Sequence, residues 1–544
     1  MNAPSRPDES ASFLLAAALV AMPFLQFLPI DFDRTGVLCL TLPFLWSGRS
    51  LLESALTRIW QTFGWFSGCL LIFFAVAAGS AMAAGPQFAP ALVTTACWVL
   101  FAATALIAGE LVARAPATGA RLLGALALST LAGIVVVWVL WWIGGRGPVP
   151  LYAHYRIFGL HTISGAVAAI ALIIQSWDSP RRRYGWFAVG AVNWAGLLWS
   201  GGRAPMVALV LPLAAWWLVG NATLRRRLAG SGAGLLIAGL LLSLVMWTPR
   251  PELGWWNALH RTTSANVGPA LSVSAITSTR SDFWRESLDR VQLRPWLGHG
   301  ADAYRHLTPK LDGQQPHNFI LQLLLDVGVI GTGAALLFLS ALLLKAVRRA
   351  VAERGLGTTA PWLALVLACL IAGLLDGVFY HLVALLPATI ALGTLAATSS
   401  NPEKKPRRNR TDRIVATISV GLAAAILGLH TWLFYSLAVA PVPERASSRS
   451  ARLVRAFPST TFGLWRWLDE WQSTDPPAAL DWSRWAETHS ANPPSFHIYT
   501  ARLLLARGDR DGGLQELRAA FAEAHRLNQP AIAEMIRTVE SAPR

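Results

Sequence analysis

The sequence predicts an all-α polytopic membrane protein of about 13 transmembrane helices, with one large polar loop and a small helical C-terminal domain. Three observations carry this. The 544 residues are 54% hydrophobic and only 14% charged, where a soluble chain carries roughly a quarter. Apolar runs near spanning length recur from Ala11 to Val439, and in lipid such runs must be helical because their backbone groups find no other partners. The net charge of +16 gathers in short clusters between the runs: Arg181-Arg182-Arg183, Arg225-Arg226-Arg227, 345–354 and 404–410. Such clusters mark cytoplasmic loops, and they account for the charge without a nucleic-acid partner.

The clusters orient the elements. Spans are expected at 11–30, 35–47, 62–83, 91–112, 120–143 and 157–177; the second is short and holds Pro43. The first run could imitate a signal peptide, but Asp8-Glu9 precedes it and further spans follow, so it reads as a retained helix with a cytoplasmic N-terminus. Between Arg183 and Arg225 there is room for spans 184–200 and 205–219, so the turn Ser200-Gly201-Gly202-Arg203 faces the other side. A span at 230–247 crosses out again and makes 249–317 an outer loop. The run from Asn318 returns to the Lys345 cluster, two runs flank Asp376-Gly377, and 414–439 leaves the C-terminus outside. The membrane domain is thus 1–440 and the tail 441–544.

The cysteines, Cys39, Cys69, Cys97 and Cys369, all lie in apolar runs. No disulfide framework and no cysteine metal site is expected. In the tail, acids and bases nearly balance. Trp465, Trp467, Trp471, Trp482 and Trp485 suit either a membrane interface or a small packed core. Segments 495–507 and 513–527 read as amphipathic helices joined by Gly508-Asp509-Arg510-Asp511, and LLLARGDRDGGLQELRAAFAEA resembles a tetratricopeptide helix pair. One pair cannot bury a solenoid core, so it must pack on the tryptophan-rich part or on the membrane domain.

The chemistry points to 277–331, where polar residues sit between two apolar segments. Ionisable groups at the lip of a helix bundle usually handle a polar substrate. Arg203, in the outer turn SGGRAP, is either a phosphate-binding fork or an arginine snorkelling to headgroups. Arg280 and Trp284 share one face if their segment is helical. Arg285, Arg290 and Arg294 have Glu286 and Asp289 near them and read equally as surface pairs. Pro295-Trp296-Leu297-Gly298-His299-Gly300 is a turn whose glycines permit close backbone approach to a ligand. His317 precedes a spanning helix, where a neutral imidazole could take a proton from a hydroxyl; its plainer reading is a neighbour of the helix cap Asn318. His260, His299, His306 and His317 form no HxxxH pair, so no metal is expected there. No Walker loop, dinucleotide-binding glycine fingerprint or GxSxG elbow occurs, which argues against a cytosolic, ATP-driven activity.

The order SGGRAP, RSDFW, RPWLGHGADAY, PHNFILQLLLDVGVIG over about 130 residues resembles the O-antigen ligase and polymerase superfamily of bacterial glycosyltransferases. The resemblance implies a type C glycosyltransferase-like fold in the inner membrane, with periplasmic loop and tail. It implies a glycan donor on undecaprenyl diphosphate, an acceptor that is lipid A-core, a growing glycan or a protein, contact with membrane lipid, and no nucleotide sugar, cofactor or required metal. The family's arginines match Arg203 and Arg280, which would hold the diphosphate, and its loop histidine matches His317, which would handle the acceptor hydroxyl. Arg156-Ile157-Phe158-Gly159 is similar to the family's earlier Arg–Gly stretch, although His161-Thr162-Ile163-Ser164 replaces the usual Pro-Asn. Trp284, Arg285, Gly298, Gly300, Tyr304 and Asn318, in or beside the same motifs, are expected to touch substrate with Arg156.

The leading expectation is therefore ligation of glycan to lipid A-core, with repeat-unit polymerisation or protein O-glycosylation as the runner-up. A lipid-glycan flippase is the rival from another class. It would set its polar groups near the bilayer midplane, usually with repeat symmetry. Here no repeat is visible and the ionisable groups gather at the outer edge. A scaffold using the tail as a docking module leaves the arginine–histidine loop unexplained.

Overall fold

A computed structural model describes residues 6–27, 32–143, 152, 155–246, 280–306, 315–377, 381–400, 410–524 and 528–542. Every regular element among them is a helix. The first nine α-helices are α1 (Arg6–Ala21), α2 (Phe32–Phe63), α3 (Phe66–Met82), α4 (Phe88–Arg114), α5 (Pro116–Trp142), α6 (Tyr155–Gln175), α7 (Pro180–Trp199), α8 (Arg203–Val219) and α9 (Ala222–Val245). After them come α10 (Arg280–Leu293) and the single turn α11 (Ala303–His306). The bundle closes with α12 (Phe319–Ala352), α13 (Thr359–Leu375), α14 (Leu382–Thr398) and α15 (Arg410–Ala438). Among the described residues six segments are long and apolar enough to cross a membrane, in α4, α5, α6, α9, α12 and α15, and five shorter apolar helices accompany them. The chain is a polytopic membrane protein, and its regular structure is helical throughout the described residues.

The helix α6 shows why the bundle holds together. Its whole apolar window is buried, and Ala166 to Ala171 are fully enclosed. A helix that is apolar all round belongs in the centre of a bundle, and its small residues let neighbours approach closely. Elsewhere the expected short span at 35–47 is absent as such. Pro43 lies inside the 32-residue helix α2. Proline removes one helical hydrogen bond, but Phe44 and Leu45 are buried beside it, and that packing carries the helix through. The stretch 247–279, with His260, and the basic stretch 401–409 lie outside the described residues.

The tail forms α16 (Arg449–Ala456), α17 (Leu464–Thr474), α18 (Pro476–His489), α19 (Pro493–Ala506), α20 (Arg510–Glu523) and α21 (Gln529–Ser541). Of the two readings of its tryptophans, the packed core is the one built. Trp467, Trp471 and Trp482 are at most 2% exposed and cluster with Phe496, Tyr499 and the bundle residues Leu433 and Leu437. Arg466 donates to the carbonyls of Leu437, at 3.0 Å, and Ala440 at the end of α15, where a cation meets the negative end of the helix dipole. The tail therefore grows out of the last bundle helix. The anticipated helix pair is α19 and α20. Gly508 ends the first, and Asp509 caps the second by accepting from Gly512 N at 2.9 Å.

Candidate active site

The described part of the segment between α9 and α12 is held down by a small core of its own. Phe283, Ser287 and Val291 lie four apart on α10 and form its buried face. Phe283 and Val291 pack with Tyr304 and Leu325. Tyr304 is 1% exposed, and its hydroxyl donates to Glu286 Oε2 at 2.9 Å. The ring that the motif offered as a substrate contact is therefore part of the clamp on α10.

Gly298 and Gly300 are also placed differently from expectation. The 295–300 turn docks into a break in α12 at Gly328, where φ is +63°. His299 N and Gly300 N donate to Leu325 O and Asp326 O at 2.7 and 3.0 Å, and Val329 N donates to Pro295 O at 2.7 Å. A Cβ on Gly298 would stand 2.6 Å from Leu325 O, and one on Gly300 2.9 Å from Ala84. The close backbone approach is real, but its partner is the protein. Gly298 also has φ +72°, which costs a side-chain-bearing residue about 1–3 kcal/mol. Gly298→Ala is expected to loosen the loop and lower the melting temperature in detergent; an unchanged melting curve would contradict this docking. His299 spends Nε2 on Arg290 O at 2.9 Å. Burial holds its pKa below the ordinary value, and the charges of Arg294 and Arg290 add to the effect while the bond to Arg290 O opposes it. The loop is pinned from beneath by Arg34 of α2, whose Nη2 lies 2.5 Å from Asp302 Oδ2.

His317 stands at the mouth of this assembly. Asn318 caps α12 by accepting from Ile320 N and Leu321 N at 3.0 and 3.2 Å, and its amide nitrogen donates to Leu374 O at 3.3 Å. Asn318 is thus the cap, and it ties the start of α12 to the end of α13. His317 itself adopts φ +53°, a region rare for residues with a side chain and often found at functional sites. Its Nδ1 lies 2.8 Å from Asp376 Oδ1, and the Phe283 ring lies 5.8 Å from the imidazole. The other carboxylate oxygen of Asp376 is 3.5 Å from Arg280 Nη2. The Gly377 N–H also donates to Asp376 Oδ1, at 2.9 Å.

Asp376 is the residue of this candidate site that the sequence reading passed over. It follows α13 directly and is 4% exposed. Burial pushes its pKa up, but the hydrogen bond and charge of His317 and the charges of Arg156 and Arg280 outweigh burial and hold the carboxyl below its ordinary range. An ionised carboxylate can only accept, so the imidazole hydrogen sits on Nδ1. Nε2 of the neutral ring is then left as the proton acceptor. The available signal was an acid closing an apolar run, a placement that marks function in membrane proteins.

Arg156, in the first turn of α6, lies close enough for its charge to act on Asp376. One turn on, a Cβ on Gly159 would meet Pro205 and Ser200 at 2.9 and 3.0 Å. The RIFG stretch therefore abuts the SGGRAP turn, and Arg203 is the first residue of α8, where helix N–H groups favour an anion. Arg156, Arg203 and Arg280 are all half-buried. Trp284 is half-buried too, with its indole nitrogen enclosed and without a partner among the described residues. Arg285, by contrast, is exposed. His161, which stands in place of the family's Pro-Asn, is a satisfied core histidine: Tyr152 OH lies 2.7 Å from Nδ1 and Ser129 Oγ 3.2 Å from Nε2. Below the site an apolar cavity of about 480 Å³ opens between α2, α3, α4, α12 and α14, lined by Ile59, Phe73, Trp98, Phe338 and, near His317, Phe319.

A helical membrane bundle that gathers arginines around a carboxylate-oriented histidine has the chemistry to hold an anionic group beside a base. The family model for O-antigen ligase matches residues 187–336, from α7 to α12, and that segment contains Arg203, Arg280 and His317. Over this segment the chain is similar to O-antigen ligase. No curated protein matches it.

Proposed function

We propose that the protein is an inner-membrane glycosyltransferase that moves a glycan from undecaprenyl diphosphate to an acceptor hydroxyl of lipid A-core on the periplasmic face. The observation that carries this reading is the meeting of His317 and Arg280 on one buried carboxylate, Asp376, with bonds of 2.8 and 3.5 Å. The arginine clusters support a topology of about 13 spans with the N-terminus cytoplasmic and the tail periplasmic, which sets this site at the outer edge.

In the reaction, Arg280, Arg203 and Arg156 hold the diphosphate and stabilise the charge that develops on it as the glycosyl–oxygen bond breaks. The acceptor hydroxyl attacks the anomeric carbon from the opposite face. Its proton passes to His317 Nε2, and undecaprenyl diphosphate leaves with the bonding electrons, inverting the centre. Asp376 keeps the imidazole in the required tautomer and steadies the imidazolium. The apolar cavity beside Phe319 is suited to part of the prenyl chain. A transporter would need such groups near the midplane, whereas these close helix ends.

The multi-helix tail favours a second reading, in which the acceptor is a protein or a growing glycan. The glycan phenotype of a deletion strain separates them. Loss of glycan from lipid A-core while carrier-linked glycan accumulates is expected. Lipid A-core bearing a single repeat unit means a polymerase, and loss from protein alone means an oligosaccharyltransferase. Unchanged glycans in all three pools would sink the proposal.

A further inference from the structure

We propose that Glu487, His497 and Glu516, with Glu523 in reserve, form a zinc-type divalent cation site that fastens three successive helices of the tail. Glu487 comes from α18, His497 from α19, and Glu516 and Glu523 from α20. The site is distinct from the transfer site and uses none of its residues.

The geometry is that of ligands converging on one point. His497 Nδ1 lies 2.7 Å from Glu516 Oε2 and 3.6 Å from Glu487 Oε2, and one ligand atom from each of the three residues falls within 4.8 Å of the others. Ligands about 2.1 Å from a tetrahedral zinc stand about 3.4 Å apart, so small side-chain rotations bring all three into a first shell. On the far side of the ring, Glu523 Oε2 is 3.9 Å from His497 Nε2. That oxygen is buried and has no hydrogen-bond partner among the described residues. It is a spare acceptor where a second-shell contact would orient the imidazole, as metal-bound histidines require.

Charge points the same way. The side chains of Glu487, His497 and Glu516 are 12%, 13% and 17% exposed. Even with His497 protonated and the exposed Arg484 acting on Glu487, three carboxylates outnumber two cations. A divalent cation would relieve that crowding. The mixed nitrogen and oxygen donors suit zinc or its first-row neighbours better than calcium, which prefers oxygen alone.

There is also a structural need. A short run of helices buries little core for its length, and small domains often depend on a metal or another cross-link. The tryptophan cluster secures α17, α18 and α19, whereas α20 and α21 add a small buried cluster of Ala520, Ala524 and Ile532, with Leu517 buried beside it in sequence. An ion bridging α18, α19 and α20 would tie the weaker end to the stronger.

The test uses the full chain in detergent, stripped with a chelator and then titrated with zinc(II) by calorimetry and with cobalt(II) by visible absorption. About one equivalent is expected to bind to this site and to raise the melting temperature by a few degrees, by mass action on the folded state. His497→Ala and the near-isosteric Glu516→Gln are each expected to weaken binding about tenfold or more. Glu516→Gln keeps the test decisive if His497→Ala does not fold. Absence of binding by the wild type, or equal binding by wild type and Glu516→Gln, overturns the proposal; the cluster would then be an ion pair between His497 and Glu516 alone. Glycan transfer is not the readout, so the result stands apart from the fate of the transferase reading.

Discussion

Arg280→Ala is expected to cut glycan transfer by about 10²–10³-fold, the scale for removing one preorganised donor to a developing anion, while abundance in the membrane stays near wild type. The side chain is 19% exposed and pairs with Asp376, so its charge acts where water is scarce and screening is weak. The helix that presents it does not depend on it, because Phe283, Ser287 and Val291 form the buried face of α10. Arg280→Lys should rescue poorly, since an ammonium lacks the planar fork that reads a phosphate. Arg203→Ala should behave alike. Arg285→Ala is the control: that residue is exposed and should keep most of its activity. The measurement is the initial rate of transfer from a lipid-linked donor in membranes normalised for protein. Near-normal rates in Arg280→Ala would remove this arginine from the diphosphate site.

His317→Ala is expected to lose about a hundredfold or more, the usual contribution of a positioned general base, with donor binding retained because the arginines hold the diphosphate. Asp376→Asn should lose less than His317→Ala, because an amide oxygen can still accept from Nδ1 but no longer steadies the imidazolium or Arg280. The Asp376 carboxyl, held low, stays ionised well into the acid range. Its contribution to folding is therefore complete above the ordinary carboxylate value and disappears only as pH falls through the lower folded value. A wild-type rate for His317→Ala would rule out the base. Loss of donor binding would move His317 into the diphosphate site.

Some of the candidate site was legible because its signals are local. Arg203, Arg280 and His317 stand in motifs whose order and spacing can be read along the chain, and Asn318 reads as a helix cap from residue type and position alone. Where spacing allowed two partners, the reading went astray. The glycines at 298 and 300 correctly announced a close backbone approach, but nothing local says that the approaching surface is the break at Gly328 rather than a substrate. Tyr304 stood in a functional motif, yet its hydroxyl serves Glu286. Pro43 marked a weak point in a helix, and packing around Phe44 overrode it.

By itself the sequence determined the membrane class, the arrangement of apolar runs and basic clusters, and the likeness of its central segment to O-antigen ligase, since hydrophobicity, charge and motif order are properties of neighbouring residues. Only the tertiary structure decided that Asp376, 59 residues beyond His317, closes the site, and that the tail tryptophans form a core rather than a membrane surface. The physical reason is that such contacts depend on which helix ends pack side by side. That is set by the shape of whole helix faces, of which residue spacing along one strand of sequence carries no record.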